Sequence, residues 1–169
     1  MEPIEGAYWA VEGNASRLSP AELSRKARSL LAGLLKERYG LPRLPAMAVG
    51  SNGKPYFPEH PEIRFSLSHC RGAVMAVVSD REVGCDVEDV QADAPEELLR
   101  LAFSEEECKR IREAEDSGLE LTRIWTRKES AVKMRGAIPD DPRQWPSDHP
   151  ATRTEHLPHL AACCSITTK

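Results

Sequence analysis

The chain has 169 residues, enough for one domain or two small joined lobes with a real core, and its 40% apolar and 30% charged residues are ordinary for a globular protein. Its 23 basic and 27 acidic residues leave a formal net charge of −4, which argues against sequence-independent binding to nucleic acid. No apolar run reaches the roughly 20 residues that span a bilayer, the acidic start MEPIEGAYWAVEGN has no apolar leader core, and the five cysteines are odd in number with no C-x-x-C pair; together these predict a cytoplasmic protein with free thiols.

Residues 7–11, AYWAV, predict a short strand. A strong helix signal follows: Ser19 as N-cap, Pro20 at the first helical position and Glu22 completing a capping box. Leu23, Ala27, Leu30, Leu31, Leu34 and Leu35 recur at helical spacing until Gly40 and Pro42 stop the run. The segment LPRLPAMAVGSNGKPYFPEHPE is loop-like, with SNGKP as a turn. From residue 63 the period becomes two. IRFSLSH and AVMAVVS predict strands, and the short DRE before VGCDVE predicts an antiparallel hairpin.

DVQADAP (89–95) reads as a connector between halves. A helix is predicted from PEELLRLAF, and Ser104 with Glu107 forms a second capping box ahead of EEECKRIREAED. Gly118 reads as an interruption before a helix over LELTRIWTRKESAVKMRG, with Leu121, Ile124, Trp125 and Val132 as core and Gly136 as its stop. Residues 137–150 hold four prolines and read as loop, and HLAACCSIT as a terminal apolar strand. Helices mixed with antiparallel strands make the class α+β.

In VGCDVE, Val83, Cys85 and Val87 occupy one strand face and Asp86 and Glu88 the other. Two carboxylates so placed repel and raise each other's pKa. They are either oxygen ligands for a hard cation such as Mg²⁺ or a solvated face. Glu129 and Lys133 stand four apart on a helix, either an i,i+4 pair or the rim of a site. Ser68 and His69 end a strand, Lys54 sits in the GKP turn, and Arg28 lies on the polar side of RKARSLL. His156 and His159 lack a neighbouring cluster with metal-ligand spacing.

The order GKP, FSLSHC, VGCDVE, FSEEE, WTRKESAVKMRG resembles the 4′-phosphopantetheinyl transferases of the larger, surfactin-synthetase-activating type. The resemblance runs from about residue 25 to residue 136, with Ser66 where the family has Asn and Cys70 where Ser is common. It implies a pseudo-dimer of two similar lobes, 1–89 and 90–169, each a helix on a small antiparallel sheet, with the active site between them. It implies transfer of 4′-phosphopantetheine from coenzyme A to a serine of an acyl or peptidyl carrier protein in fatty-acid, polyketide or nonribosomal-peptide synthesis, releasing adenosine 3′,5′-bisphosphate. Asp86, Glu88 and Glu129 match the metal positions for Mg²⁺, with Glu129 and Lys133 catalytic. Arg28, Lys54, Ser68, His69 and Lys133 match coenzyme A contacts. The expected enzyme is a monomer whose partners are coenzyme A and the carrier, with no nucleic acid and no membrane. Lys109, Arg110, Arg112, Arg123 and Arg127 offer a basic face for an acidic carrier, or surface charge balanced by Glu105 to Glu107. A non-catalytic coenzyme A-binding protein of the same fold and a metal-dependent phosphoesterase are the alternative readings.

Overall fold

The computed structural model describes residues 1, 4–13, 18–136 and 139–169. Among these, four α-helices and small antiparallel sheets form an α+β fold. The first part holds β1 (Ala7–Glu12), α1 (Pro20–Tyr39), β2 (Ala48–Val49), β3 (Pro55–Tyr56), β4 (Arg64–His69) and β5 (Val74–Ser79). The second holds β6 (Val83–Asp89), α2 (Glu96–Ala102), α3 (Glu105–Glu113), α4 (Ser117–Arg135), β7 (Thr152–Leu157) and β8 (Ala162–Thr168). No described helix is long and apolar enough to cross a membrane.

Local chemistry sets the helix ends as the sequence predicts. The Glu22 carboxylate accepts from the Ser19 N–H at 2.8 Å and from its hydroxyl at 2.6 Å. Gly40 ends α1 and Gly136 ends α4, with φ of 68° and 70°, the left-handed conformation glycine adopts at least cost. The SNGKP turn joins the two-residue strands β2 and β3, closed by the Gly50 N–H on the Lys54 carbonyl at 2.9 Å.

Two three-stranded sheets form, ordered β1-β5-β4 and β6-β8-β7, each with its last strand in the middle and a long helix between its first two strands. The two strands predicted at 63–69 and 73–79 form and pair as an antiparallel hairpin, Arg64 with Ser79 through His69 with Val74. The hairpin predicted between 73–79 and 83–88 does not. A strand has two hydrogen-bonding edges, and those of β5 are taken by β1 and β4. The chain therefore leaves the first sheet at residues 80–82, and β6 pairs with β8 instead.

The sheets stack between the two long helices. Ala76 and Val78 of β5 face α1 beside Leu31 and Leu35, while Met75 and Val77 face Cys85, Val87, Cys164 and Ile166 of the second sheet. Burial on both faces explains why β5 reads as a continuous apolar run. All five cysteines are free and buried, with Cys163 and Cys164 on opposite faces of β8. The outer face of the second sheet meets α4 through small polar groups: Thr126 with Ser165 at 2.9 Å and Ser130 with Thr167 at 2.8 Å.

Two further differences have local causes. Gly118 is not a breaker. It lies in the first turn of α4, capped by Asp116 accepting from the Leu119 N–H at 2.8 Å. A Cβ there would meet the Gln91 carbonyl at 2.1 Å, so glycine lets the 89–95 connector pass against the helix. Strand β7, TRTEHL, carries no apolar alternation to announce it. It is an edge strand that buries Thr152 through a hydroxyl bond of 2.8 Å to Thr167.

Candidate active site

The seam between the sheets is built from unspent backbone donors. β6 pairs with β8 along one edge, which leaves N–H groups on its other edge without a ladder. Ser66 and Ser68 of β4 accept them: the Cys85 N–H reaches the Ser66 hydroxyl at 3.1 Å and the Val87 N–H reaches Ser68 at 3.3 Å. The alternation in RFSLSH that turns Phe65 and Leu67 toward α1 turns both serines toward β6.

On the opposite face of β6, α4 lies unusually close. A Cβ on Gly84 would stand 2.1 Å from the Ser130 carbonyl and 2.3 Å from the Met134 nitrogen. That approach places Lys133 over Asp86, two residues along the strand. The Lys133 ammonium donates to Asp86 Oδ1 at 2.6 Å and to the Ser68 hydroxyl at 3.2 Å, and Ser68 donates to the same Oδ1 at 2.7 Å. Glu129, one turn back, is 4.0 Å from the ammonium. The positive charge beside Asp86 is thus Lys133, and Asp86 is buried rather than solvated.

One lysine faces three carboxylates, and the imbalance shows in the acidity of Glu88 and Glu129. Burial first, and then the charge of Asp86, push Glu88 up to about 7, with Glu129 and Asp89 adding and Lys133 opposing. Burial also raises Glu129, against the pull of Lys133 and with the push of Asp86. Burial works against the Lys133 ammonium, but the charge and hydrogen bond of Asp86 outweigh it and hold its pKa above the ordinary lysine value. Among the described residues, Asp86 Oδ2 is buried without a hydrogen-bond partner. A partnerless carboxylate oxygen, next to two carboxylates whose ionisation is disfavoured, fits a hard cation. Among the described residues no three His, Cys, Asp or Glu groups stand converged on one metal-sized point.

A groove of about 290 Å³ runs along this seam, bounded by Ser24 and Ala27 of α1, Ser68 and His69, Asp86 and Glu88, and Glu129 and Lys133. It gathers six of the eight sequence-predicted residues. Lys54 lies outside it but lines an adjoining groove together with Glu129 and Lys133. Its ammonium is held by Glu82 at 2.6 Å and by the Met134 carbonyl at 2.8 Å, at the last turn of α4. Arg28 is not brought in: it is exposed on α1, one position beyond Ala27.

Three residues missed by sequence reasoning support the site. Glu82 also binds Arg64 at 3.0 Å, tying the GKP turn to β4. Lys128, fully buried, meets Glu107 at 2.5 Å and locks α3 to the helix that carries Glu129 and Lys133. The capping box had already explained Glu107, so its second partner had no local signal; the Glu107 carboxylate also accepts from the Ser104 N–H at 2.9 Å. Trp145, inside the proline-rich segment, stacks on Trp125 with ring centroids 5.6 Å apart. The basic cluster is paired at the surface, with Lys109, Arg110 and Arg112 exposed. Arg110 and Arg123 share Glu120, Arg112 holds Glu96, Lys109 is 4.0 Å from Glu113, and Arg127 donates to the Ser147 carbonyl.

Comparison with known proteins bears on what this seam does. A profile described as the 4′-phosphopantetheinyl transferase superfamily matches residues 82–160. The chain is 37% identical over 145 residues to the 4′-phosphopantetheinyl transferase AcpT of Salmonella typhimurium, covering 76% of this chain and 74% of the relative. It is 36% identical over 143 residues to AcpT of Escherichia coli strain K12, covering 76% and 73%. To the 4′-phosphopantetheinyl transferase psf-1 of Bacillus pumilus it is 30% identical over 112 residues, covering 63% and 47%.

Proposed function

The chain belongs to the 4′-phosphopantetheinyl transferase superfamily, and on that premise we propose that it moves 4′-phosphopantetheine from coenzyme A to a serine hydroxyl of an acyl or peptidyl carrier protein. The observation that carries this reading is the Asp86–Ser68–Lys133 cluster at the seam, with its partnerless buried carboxylate oxygen. The serine oxygen forms a bond to the phosphorus nearer the pantetheine. The bond from that phosphorus to the bridging oxygen breaks, and adenosine 3′,5′-bisphosphate leaves.

Asp86, Glu88 and Glu129 are the residues that would hold Mg²⁺, which when bound supplies Lewis-acid neutralisation of the diphosphate. Lys133 contributes a fixed positive charge for the reacting phosphate, already oriented by Ser68. Glu129 takes the proton of the carrier serine, directly or through one water. Burial raises its pKa, the direction a general base requires. Lys54, Ser68, His69 and Arg28 serve coenzyme A. Of these, Ser68 sits at the reacting end, beside Lys133 and Asp86, while Lys54 and Arg28 stand outside the groove lining.

The repeated strand order within one chain supports a pseudo-dimer of two lobes and the larger, surfactin-synthetase-activating type. The pairing of β6 with β8 supports placing the lobe junction at 80–82 rather than after residue 89. A site completed within one chain supports a monomer, and five free, buried cysteines support a cytoplasmic setting.

The test is intact-protein mass spectrometry of an apo-carrier incubated with the chain, coenzyme A and Mg²⁺. A gain of one phosphopantetheine, abolished by EDTA and by Asp86→Ala, is the expected result. Full transfer by Asp86→Ala with Mg²⁺ still required overturns the metal assignment. Coenzyme A binding without transfer to fatty-acid, polyketide or peptide carriers favours the non-catalytic alternative, and cleavage of coenzyme A with an unmodified carrier favours a phosphoesterase.

A further inference from the structure

Ser66 and Ser68 do the same work for the backbone of β6 and different work for its side chains. Each hydroxyl accepts an N–H from the strand's second edge, that of Cys85 at 3.1 Å for Ser66 and that of Val87 at 3.3 Å for Ser68. Of the two, it is Ser68 that also touches Asp86, donating to Oδ1 at 2.7 Å. A hydroxyl has a single proton and two lone pairs. The Ser68 proton goes to Asp86, and its lone pairs take the Val87 N–H and the Lys133 ammonium, the latter at 3.2 Å. An ionised phosphate oxygen accepts and does not donate, so in this arrangement the Ser68 hydroxyl keeps no proton for coenzyme A. Lys133 spends two of its three, on Ser68 and Asp86.

The group that gains is the Asp86 carboxylate. Oδ1 receives both the Ser68 hydroxyl and the Lys133 ammonium, at 2.7 and 2.6 Å, while among the described residues the buried Oδ2 has no partner. Rotation of a carboxylate about its last torsion is soft. A lysine is a point charge on a flexible stem, and it attracts either oxygen alike. A serine on a strand is short, and Ser68 is fixed further by the backbone N–H of the residue next to Asp86. Ser68 therefore selects which oxygen is spent and which is left. We infer that Ser68 is a positioning residue for a divalent cation: its hydroxyl holds Asp86 Oδ1 so that Oδ2 is kept for the metal. Ser68 then serves coenzyme A at one remove, through that carboxylate. This rests on the metal assignment of the transferase reading above and extends it to the group that orients a ligand.

Mn²⁺ binding to the full chain without coenzyme A, followed by electron paramagnetic resonance of the free ion, tests it. The wild-type chain binds Mn²⁺. Ser68→Ala weakens that affinity by about tenfold or more, the scale on which hydrogen-bond partners of metal ligands act. Ser66→Ala also removes an acceptor from a β6 N–H, so both variants melt below the wild type, but Ser66→Ala leaves the Mn²⁺ affinity unchanged. A melting transition above the assay temperature reports that each variant is folded when titrated. Wild-type Mn²⁺ affinity in Ser68→Ala overturns the positioning role and leaves the metal assignment standing. Equal weakening in the two variants overturns it as well, because the seam as a whole then sets the affinity. If the wild-type chain binds no Mn²⁺, the metal assignment falls and takes the positioning role with it.

Discussion

Replacing Lys128 by Met removes the cation from a pair that holds α3 against α4. The Lys128 side chain is 0% exposed, that of Glu107 8%, and the two meet at 2.5 Å. A methionine fills much of the lysine's volume but leaves the Glu107 carboxylate buried without its counter-charge. Breaking one side of a buried pair costs about 3–5 kcal/mol. For a chain of this size that lowers the melting temperature by roughly 6–20 °C, at about 2–4 °C per kcal/mol. The double variant Lys128→Met with Glu107→Gln removes both charges, and the glutamine still caps the Ser104 N–H. It is expected to recover most of the loss, with a coupling of about 2 kcal/mol or more between the sites. Urea unfolding of the four proteins in the cycle measures this. Strictly additive costs, or a Lys128→Met penalty below about 1 kcal/mol, would show that the pair does not hold α3 to α4.

Gly84→Ala drives a methyl group into the α4 backbone at Ser130 and Met134. It is expected to cost several kcal/mol of stability and to loosen Lys133 from Asp86; an unchanged melting temperature refutes the close approach. The thiols should resist Ellman's reagent at pH 8 until the chain is unfolded, because burial raises Cys70, Cys85 and Cys164 to about 12 and Cys163 to about 11. Rapid modification of the native chain contradicts that burial. Glu88 binds its proton more tightly folded than unfolded, so without divalent cations its contribution favours the fold at low pH and is lost as pH rises toward about 7. Melting curves of wild type and Glu88→Gln in EDTA should therefore diverge between pH 5 and pH 8, with the variant relatively more stable at the upper end. Parallel curves refute it.

What short-range physics controls was legible along the chain. Ser19, Pro20, Glu22 and Gly40 bound α1 because caps act within a turn or two of the backbone they satisfy. The alternation of VGCDVED put Asp86 and Glu88 on one face of β6, and the four-residue spacing put Glu129 and Lys133 on one face of α4, because Cβ direction follows from backbone period alone. Which charge answers Asp86 depends on long-range packing. Lys133, 47 residues later, arrives because a glycine at position 84 lets α4 lie against the strand. Tertiary structure also took β6 away from the adjacent β5, whose two edges were already paired, and supplied the buried partner of Lys128, a residue type of the surface standing on the apolar stripe of its helix, four after Ile124. Edge pairing, ion pairs and groove walls are made between segments distant in the chain, and no local pattern records the partner.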